Sequence, residues 1–76
     1  MNQTLHQTLL FASALQVLGA DHEIARLLEH AVRTRDPEAM AAGERAIEKL
    51  DEPDRKALFD RLDGLWGELP VEVRAA

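Results

Sequence analysis

The sequence predicts an all-α fold: a small, compact four-helix bundle with short connecting turns. The first observation is a set of helix start signals. The clearest is Asp36-Pro37, where Asp can cap the first backbone N–H groups and Pro fits the first helical turn. The second is the near absence of strand patterning, because apolar and polar residues alternate over four or more positions nowhere except in the short tail that contains Val71-Glu72-Val73. The third is the helical spacing of apolar residues between the start signals.

Four helical segments follow from these signals. Similar start signals lie at Asp21 and Asp51, and Gly67 and Pro70 end the last helix. The linkers have about two to four residues, so consecutive helices are expected to fold back on one another. The predicted helices cover residues 3–18, 22–34, 37–50 and 53–67 of a single domain, 1–70, which is followed by a C-terminal tail, 71–76.

The second, third and fourth helices each carry one apolar stripe and a charged opposite side. Helices of this kind bury one face in a bundle. In the third helix, Ala39 and Gly43 are small and four residues apart, which predicts close docking within the bundle or, alternatively, close contact with a partner helix. The stripes consist of Ile24, Ala25, Leu27, Leu28, Ala31 and Val32, then Ala39, Met40, Ala42, Gly43, Ala46, Ile47 and Leu50, and finally Leu58, Leu62, Leu65 and Leu69.

The first helix differs from the others in having no charge. All 14 acidic and all 9 basic residues of the chain lie at Asp21 or later. Only a narrow strip with His6, Ser13 and Gln16 is polar, and a helix that is apolar almost all round is normally buried on most sides. One apolar side consists of Leu5, Leu9, Ala12, Leu15 and Leu18, with Phe11 close to Leu18, and another consists of Leu10, Ala14 and Val17.

Three explanations compete for this uncharged start. An export signal would need a basic segment before its apolar region, and residues 1–8 contain no Lys or Arg. In the second explanation, the other three stripes converge on the first helix and cover it completely. In the third, they leave Leu10, Ala14 and Val17 to pair with a second copy across a two-fold axis. The thin core of a 76-residue chain favours the homodimer.

The composition argues against several classes of protein. Because the chain has no Cys, disulfides and thiolate metal sites are excluded, and we expect a reducing, cytoplasmic location. The formal net charge of -5 disfavours binding to DNA, RNA or anionic membrane surfaces. No run of about 18 apolar residues occurs, so no membrane span is predicted.

The sequence contains no pattern that indicates catalysis, a metal or a cofactor. There is neither a nucleophile elbow nor a Gly-rich phosphate-binding loop. His22 and His30 share one helix face, but they are about 12 Å apart along the axis, and the cation of Arg26 lies between them. We therefore expect no enzymatic activity, no metal and no cofactor.

Phe59 and Trp66 are the best candidates for a functional surface on the fourth helix. They lie seven residues apart, at the edge of the apolar stripe. They either close the core beside Leu62 or form an apolar anchor for a partner, with Asp60 and Asp63 on its polar rim.

Two functions fit these observations. The first is a non-enzymatic protein–protein interaction or regulatory module that acts through apolar helix faces, with a protein partner or a second copy of the chain. The alternative is a small acidic inhibitor that mimics a nucleic acid and occupies a basic, nucleic-acid-handling protein. The predicted partner-binding residues are Leu10, Ala14, Val17, Phe59, Asp60, Asp63 and Trp66.

Overall fold

A computed structural model describes residues 3–75 of the chain, with the side chains described from residue 5 to residue 73. This part of the chain contains helices and no strand, which confirms the all-α class. None of its helices combines the length and hydropathy needed to cross a membrane. The predicted tail contains a short fifth helix, and residues 1, 2 and 76 lie outside the described residues. The helices are α1 (Gln3–Leu18), α2 (Glu23–Thr34), α3 (Pro37–Glu48), α4 (Glu52–Glu68) and α5 (Val71–Ala75).

The starts of α2 and α3 show two kinds of N-cap. At α3, Asp36 has extended backbone, and its Oδ1 accepts a hydrogen bond of 3.0 Å from the N–H of Glu38. This is the cap that the sequence predicts. At α2 the cap is His22 instead of Asp21, because Nδ1 of His22 accepts a hydrogen bond of 3.1 Å from the N–H of Ile24. The first helical residue of α2 is therefore one position later than predicted.

The end of α2 is a residue in the left-handed backbone region. Arg35 has φ 56° and ψ 39°, where the Cβ of an L-residue crowds the backbone. Its N–H donates to the carbonyl of Ala31, so this conformation closes the helix end.

We expect Arg35→Gly to raise the free energy of unfolding by up to about 1 kcal/mol, because Gly adopts the left-handed conformation without this crowding. The same change two residues earlier, Arg33→Gly, falls in helical backbone and should lower that free energy by about 1 kcal/mol. Urea denaturation of both variants measures the two effects. If both variants lost the same amount of unfolding free energy, the left-handed conformation of Arg35 would be contradicted.

The helices pack in the order α4, α1, α2, α3. Within the described residues, α1 packs against α2 and α4, and α3 packs mainly along α2. Of the three helices whose stripes are predicted to converge on α1, α2 and α4 are its close neighbours. The helix α3 still reaches the common core through Met40 and Ile47. That core consists of Leu10, Ala14, Ile24, Leu28, Ala31, Met40, Ile47, Leu58 and Leu62. Each of the three predicted stripes thus contributes residues to the core, whereas their members Leu27, Ala42, Leu65 and Leu69 are half-buried outside it.

The closest approach between α2 and α3 occurs at Gly43. A Cβ placed on Gly43 would lie 2.7 Å from Cδ2 of Leu28 and 3.2 Å from its Cγ. The side chain of Leu28 is itself fully buried, so it has little room to move. The predicted close docking of α3 within the bundle is thus confirmed at Gly43.

Candidate partner-binding surfaces

The structure gives α1 an inner face that belongs to the core. Leu10 is 4% exposed and Ala14 is 0% exposed, and Val17 is half-buried. The prediction that Leu10 and Ala14 remain available to a second copy is therefore wrong. The physical reason is that α2 and α4 lie on either side of this face and, together with α3, cover it within one chain.

One residue of the predicted polar strip also lies inside. Ser13 is fully buried, and its hydroxyl donates a hydrogen bond of 2.8 Å to the carbonyl of Leu9. This bond within the helix satisfies the hydroxyl without solvent, which makes burial of a small polar side chain inexpensive. His6 and Gln16, the other two members of the strip, are exposed.

The opposite side of α1 forms what we call the outer face, defined by Leu5, Thr8, Ala12 and Leu15. At 100° per residue, these four positions fall within about 80° of one another and are centred opposite Leu10. Leu15 is 37% exposed, Thr8 is exposed, and Leu5 and Ala12 are half-buried. No Asp, Glu, Lys or Arg occurs in α1. The outer face is therefore an uncharged and mainly apolar strip on a helix about 24 Å long.

The edges of the outer face are held by contacts to the rest of the bundle. On the α4 side, Nε of Arg61 donates a hydrogen bond of 2.6 Å to Oε1 of Gln16. Elsewhere along α1, the half-buried Phe11 and Leu18 pack against the core. These contacts fix the rotation of α1 about its axis, and with it the direction of the outer face.

A second surface, which we call the acidic groove, lies where α1, α3 and α4 meet. Its cavity has a volume of about 150 Å³. Leu10 and Ile47 form its apolar floor, Phe59 is 43% exposed, and the side chains of Glu44 and Glu48 are exposed acids. The groove is lined by His6, Leu10, Glu44, Ile47, Glu48 and Phe59.

The predicted surface residues of α4 divide between different environments. Phe59 lies at the acidic groove, whereas Trp66 is half-buried. Asp60 is exposed and pairs with Nζ of Lys56 at 2.9 Å, and Asp63 is also exposed. Phe59 therefore does not close the core as one of the two sequence interpretations required.

Sequence reasoning missed two groups of residues at these surfaces. The sequence predicts either a fully covered first helix or an open side at Leu10, Ala14 and Val17, and no signal in α1 alone indicates that Leu15 is exposed instead. The acids Glu44 and Glu48 are recognisable as an exposed pair, but their position beside Phe59 depends on the packing of α3 near α4.

Comparisons with other proteins place this chain in no family. No protein-family model, no curated protein and no solved structure matches it. The outer face of α1 and the acidic groove are therefore the features on which a function can be based.

Proposed function

We propose that this chain is a non-enzymatic protein–protein interaction module that binds its partner through the outer face of α1. The observation that supports this function is an exposed apolar side chain, Leu15, on a helix without a single charge. A helix face that remains in water usually carries charges, as α2 does with Arg26 and Arg33. An uncharged apolar strip bordered by polar groups is typical of a surface that a partner covers.

A partner on the outer face would gain free energy mainly from burial of apolar area, at about 25 cal/mol per Å². The polar atoms that would lose water are few, since Thr8 is the one hydroxyl on the face and Gln16 already bonds to Arg61. Because no charge has to be desolvated, most of the gain from burial is retained. A carboxylate introduced at Leu15 would reverse this balance.

The test compares Leu15→Glu with two other changes of an exposed apolar residue to Glu. Val71, which is 67% exposed on α5, provides the matched control, and Phe59 reports on the acidic groove. The tagged chain is incubated with an extract of cells that produce it, and quantitative mass spectrometry identifies the proteins retained, including an untagged copy of the chain. We expect at least one protein to be retained by wild type and Val71→Glu, and to be lost with Leu15→Glu. Retention of the same proteins by Leu15→Glu would contradict the proposed function.

The acidic groove favours a second candidate function, a small acidic inhibitor that mimics a nucleic acid. Glu44 and Glu48 lie one turn apart on α3, beside the exposed ring of Phe59. A basic, nucleic-acid-handling protein could pair its cations with these carboxylates and place an apolar stem against the ring. The net charge of -5 would speed the approach of such a partner.

The two functions predict opposite responses to salt. Binding through carboxylates should weaken more than tenfold between about 0.1 M and 1 M NaCl, because the screening length falls from about 10 Å to about 3 Å. Binding through the outer face should change less than about twofold over that range, since no charge takes part. Isothermal calorimetry with the captured partner measures the dependence. If the affinity falls steeply with salt and Phe59→Glu also abolishes binding of the partner, the chain is an acidic inhibitor.

A further inference from the structure

The cap of α2 is a side chain that can gain a proton near neutral pH. The N–H of Ile24 donates its hydrogen bond of 3.1 Å to Nδ1 of His22, so the proton of the neutral ring lies on Nε2. Imidazole titrates between about pH 5 and pH 8, and a second proton on Nδ1 turns the acceptor into a donor. We propose that His22 is a pH-sensitive cap, whose protonation weakens the first turn of α2.

The N–H that would lose its acceptor lies where the helix depends on its cap. Ile24 is in the first turn of α2, where backbone N–H groups have no acceptor within the helix. The carbonyl of His22 accepts the first bond of the helix, from the N–H of Arg26 at 3.1 Å, so one residue closes the helix start through both its backbone and its ring. The side chain of Ile24 is 3% exposed and belongs to the core, which couples the order of this turn to core packing.

Charged side chains on two helices face the capping ring. The ring lines a groove between α2 and α3 that also contains Glu23 of α2 and Arg45 and Lys49 of α3, whereas α1 carries no charge. The two cations and the positive end of the α2 dipole oppose a proton on the ring, and Glu23 favours it. The neighbouring acid Asp21 pairs with Arg26 at 3.9 Å. All five side chains are exposed, so water and salt screen their effects and the hydrogen bond of the cap dominates the response.

The direction of the pH response follows from the state in which the cap exists. In the folded chain, a proton on His22 removes the bond to Ile24, whereas the unfolded chain has no cap to lose. The free energy of unfolding therefore falls as the pH falls through the titration range of imidazole, and it is fully retained above that range. An N-cap changes the unfolding constant typically about fivefold, so protonation of His22 should raise that constant by about this factor.

The first test compares the pH response of wild type with that of His22→Asn. Asn is a good N-cap whose side-chain oxygen does not titrate, so this variant should keep its cap at both pH values. Urea denaturation at about pH 7.5 and about pH 5.5 brackets the titration of imidazole. The rise of the unfolding constant at the lower pH should be about fivefold larger for wild type than for His22→Asn. The other histidines are present in both chains, so their own titration cancels.

A histidine elsewhere on the same helix provides the matched control. His30 is exposed near the other end of α2, eight residues after the cap. His30→Gln removes one titrating ring but leaves the bond between His22 and Ile24 in place. Its pH response should therefore equal that of wild type within about twofold, the lower limit of what an N-cap contributes.

Nuclear magnetic resonance of the wild-type chain tests the cap without any substitution. The nitrogen shifts of the His22 ring at about pH 7.5 should be those of the tautomer with the proton on Nε2. On acidification to about pH 5.5, the amide of Ile24 should lose protection against hydrogen exchange. After correction for the intrinsic exchange rate, this loss should exceed that of the Leu28 amide in the middle of α2.

Each measurement has an outcome that would overturn the inference. Equal pH responses of wild type and His22→Asn would show that the cap does not respond to pH. A neutral ring with its proton on Nδ1 would exclude this nitrogen as the acceptor, and unchanged protection of Ile24 would show that the first turn is not affected. If His22→Asn failed to fold, the two resonance measurements on wild type would still decide. None of these results depends on the outer face, so the proposed function is tested separately.

Discussion

Leu28→Ala is expected to lower the free energy of unfolding by about 3 to 5 kcal/mol. Leu28 is fully buried on α2, the helix that packs against both α1 and α3. Truncation removes apolar contacts and leaves a cavity. Gly43, whose position lies directly against the Leu28 side chain, has no side chain that could move into the space.

The loss should be visible without denaturant. At about 0.05 to 0.15 kcal/mol per residue, a chain of this length has a total stability of about 4 to 11 kcal/mol. Leu28→Ala would remove a large part of this stability, so we expect a substantial unfolded population at room temperature. The measurement is urea denaturation followed by circular dichroism.

The neighbouring residue gives a matched control for this prediction. Leu27 is half-buried on the same helix and makes the same Leu→Ala comparison possible. Leu27→Ala should cost only about 1 kcal/mol, since part of its side chain is already in water. Equal losses at the two positions would contradict the assignment of Leu28 to the centre of the core.

The helices could be predicted from the sequence because their signals are local. A cap such as Asp36, a Pro in the first turn and an apolar spacing of three and four residues all act within a few residues of one another. The stripes of α2, α3 and α4 were predictable for the same reason, because each of these helices has a single apolar side. The cap at His22 was missed, since an imidazole nitrogen is a less common acceptor there than the carboxylate of Asp21.

The candidate sites could be predicted only in part, because they depend on which helices become neighbours. Both sides of α1 are apolar, so the helix alone does not distinguish Leu10, which is buried, from Leu15, which is exposed. The difference arises from α2 and α4, which pack against α1 so that Leu10 is buried and Leu15 stays 37% exposed. Phe59 was recognised as a surface candidate, but the acids beside it come from α3, and their approach is a tertiary feature.

Gly43→Ala and Gly64→Ala are expected to change stability in opposite directions. Inside a helix, Gly→Ala normally raises the free energy of unfolding by about 1 kcal/mol. Gly64 should show this gain, because the nearest atom to its added Cβ is Nη1 of Arg61 at an ordinary 3.8 Å. At Gly43 the added Cβ would meet Cδ2 of Leu28 at 2.7 Å, and overpacking of this kind costs about 1 to 3 kcal/mol. Set against the usual gain of about 1 kcal/mol, this cost leaves Gly43→Ala destabilising by up to about 2 kcal/mol, so the two variants should differ by about 1 to 3 kcal/mol in urea denaturation.

The two core predictions can be joined in a double-mutant cycle that tests the contact between α2 and α3. In the Leu28→Ala chain, the methyl groups that obstruct a Cβ at Gly43 are absent, so Gly43→Ala should become stabilising by about 1 kcal/mol. The effect of one substitution would thus reverse its sign in the presence of the other, with a coupling energy of about 1 to 3 kcal/mol. Additive effects would show that Gly43 and Leu28 do not meet, and that α3 packs elsewhere on the bundle.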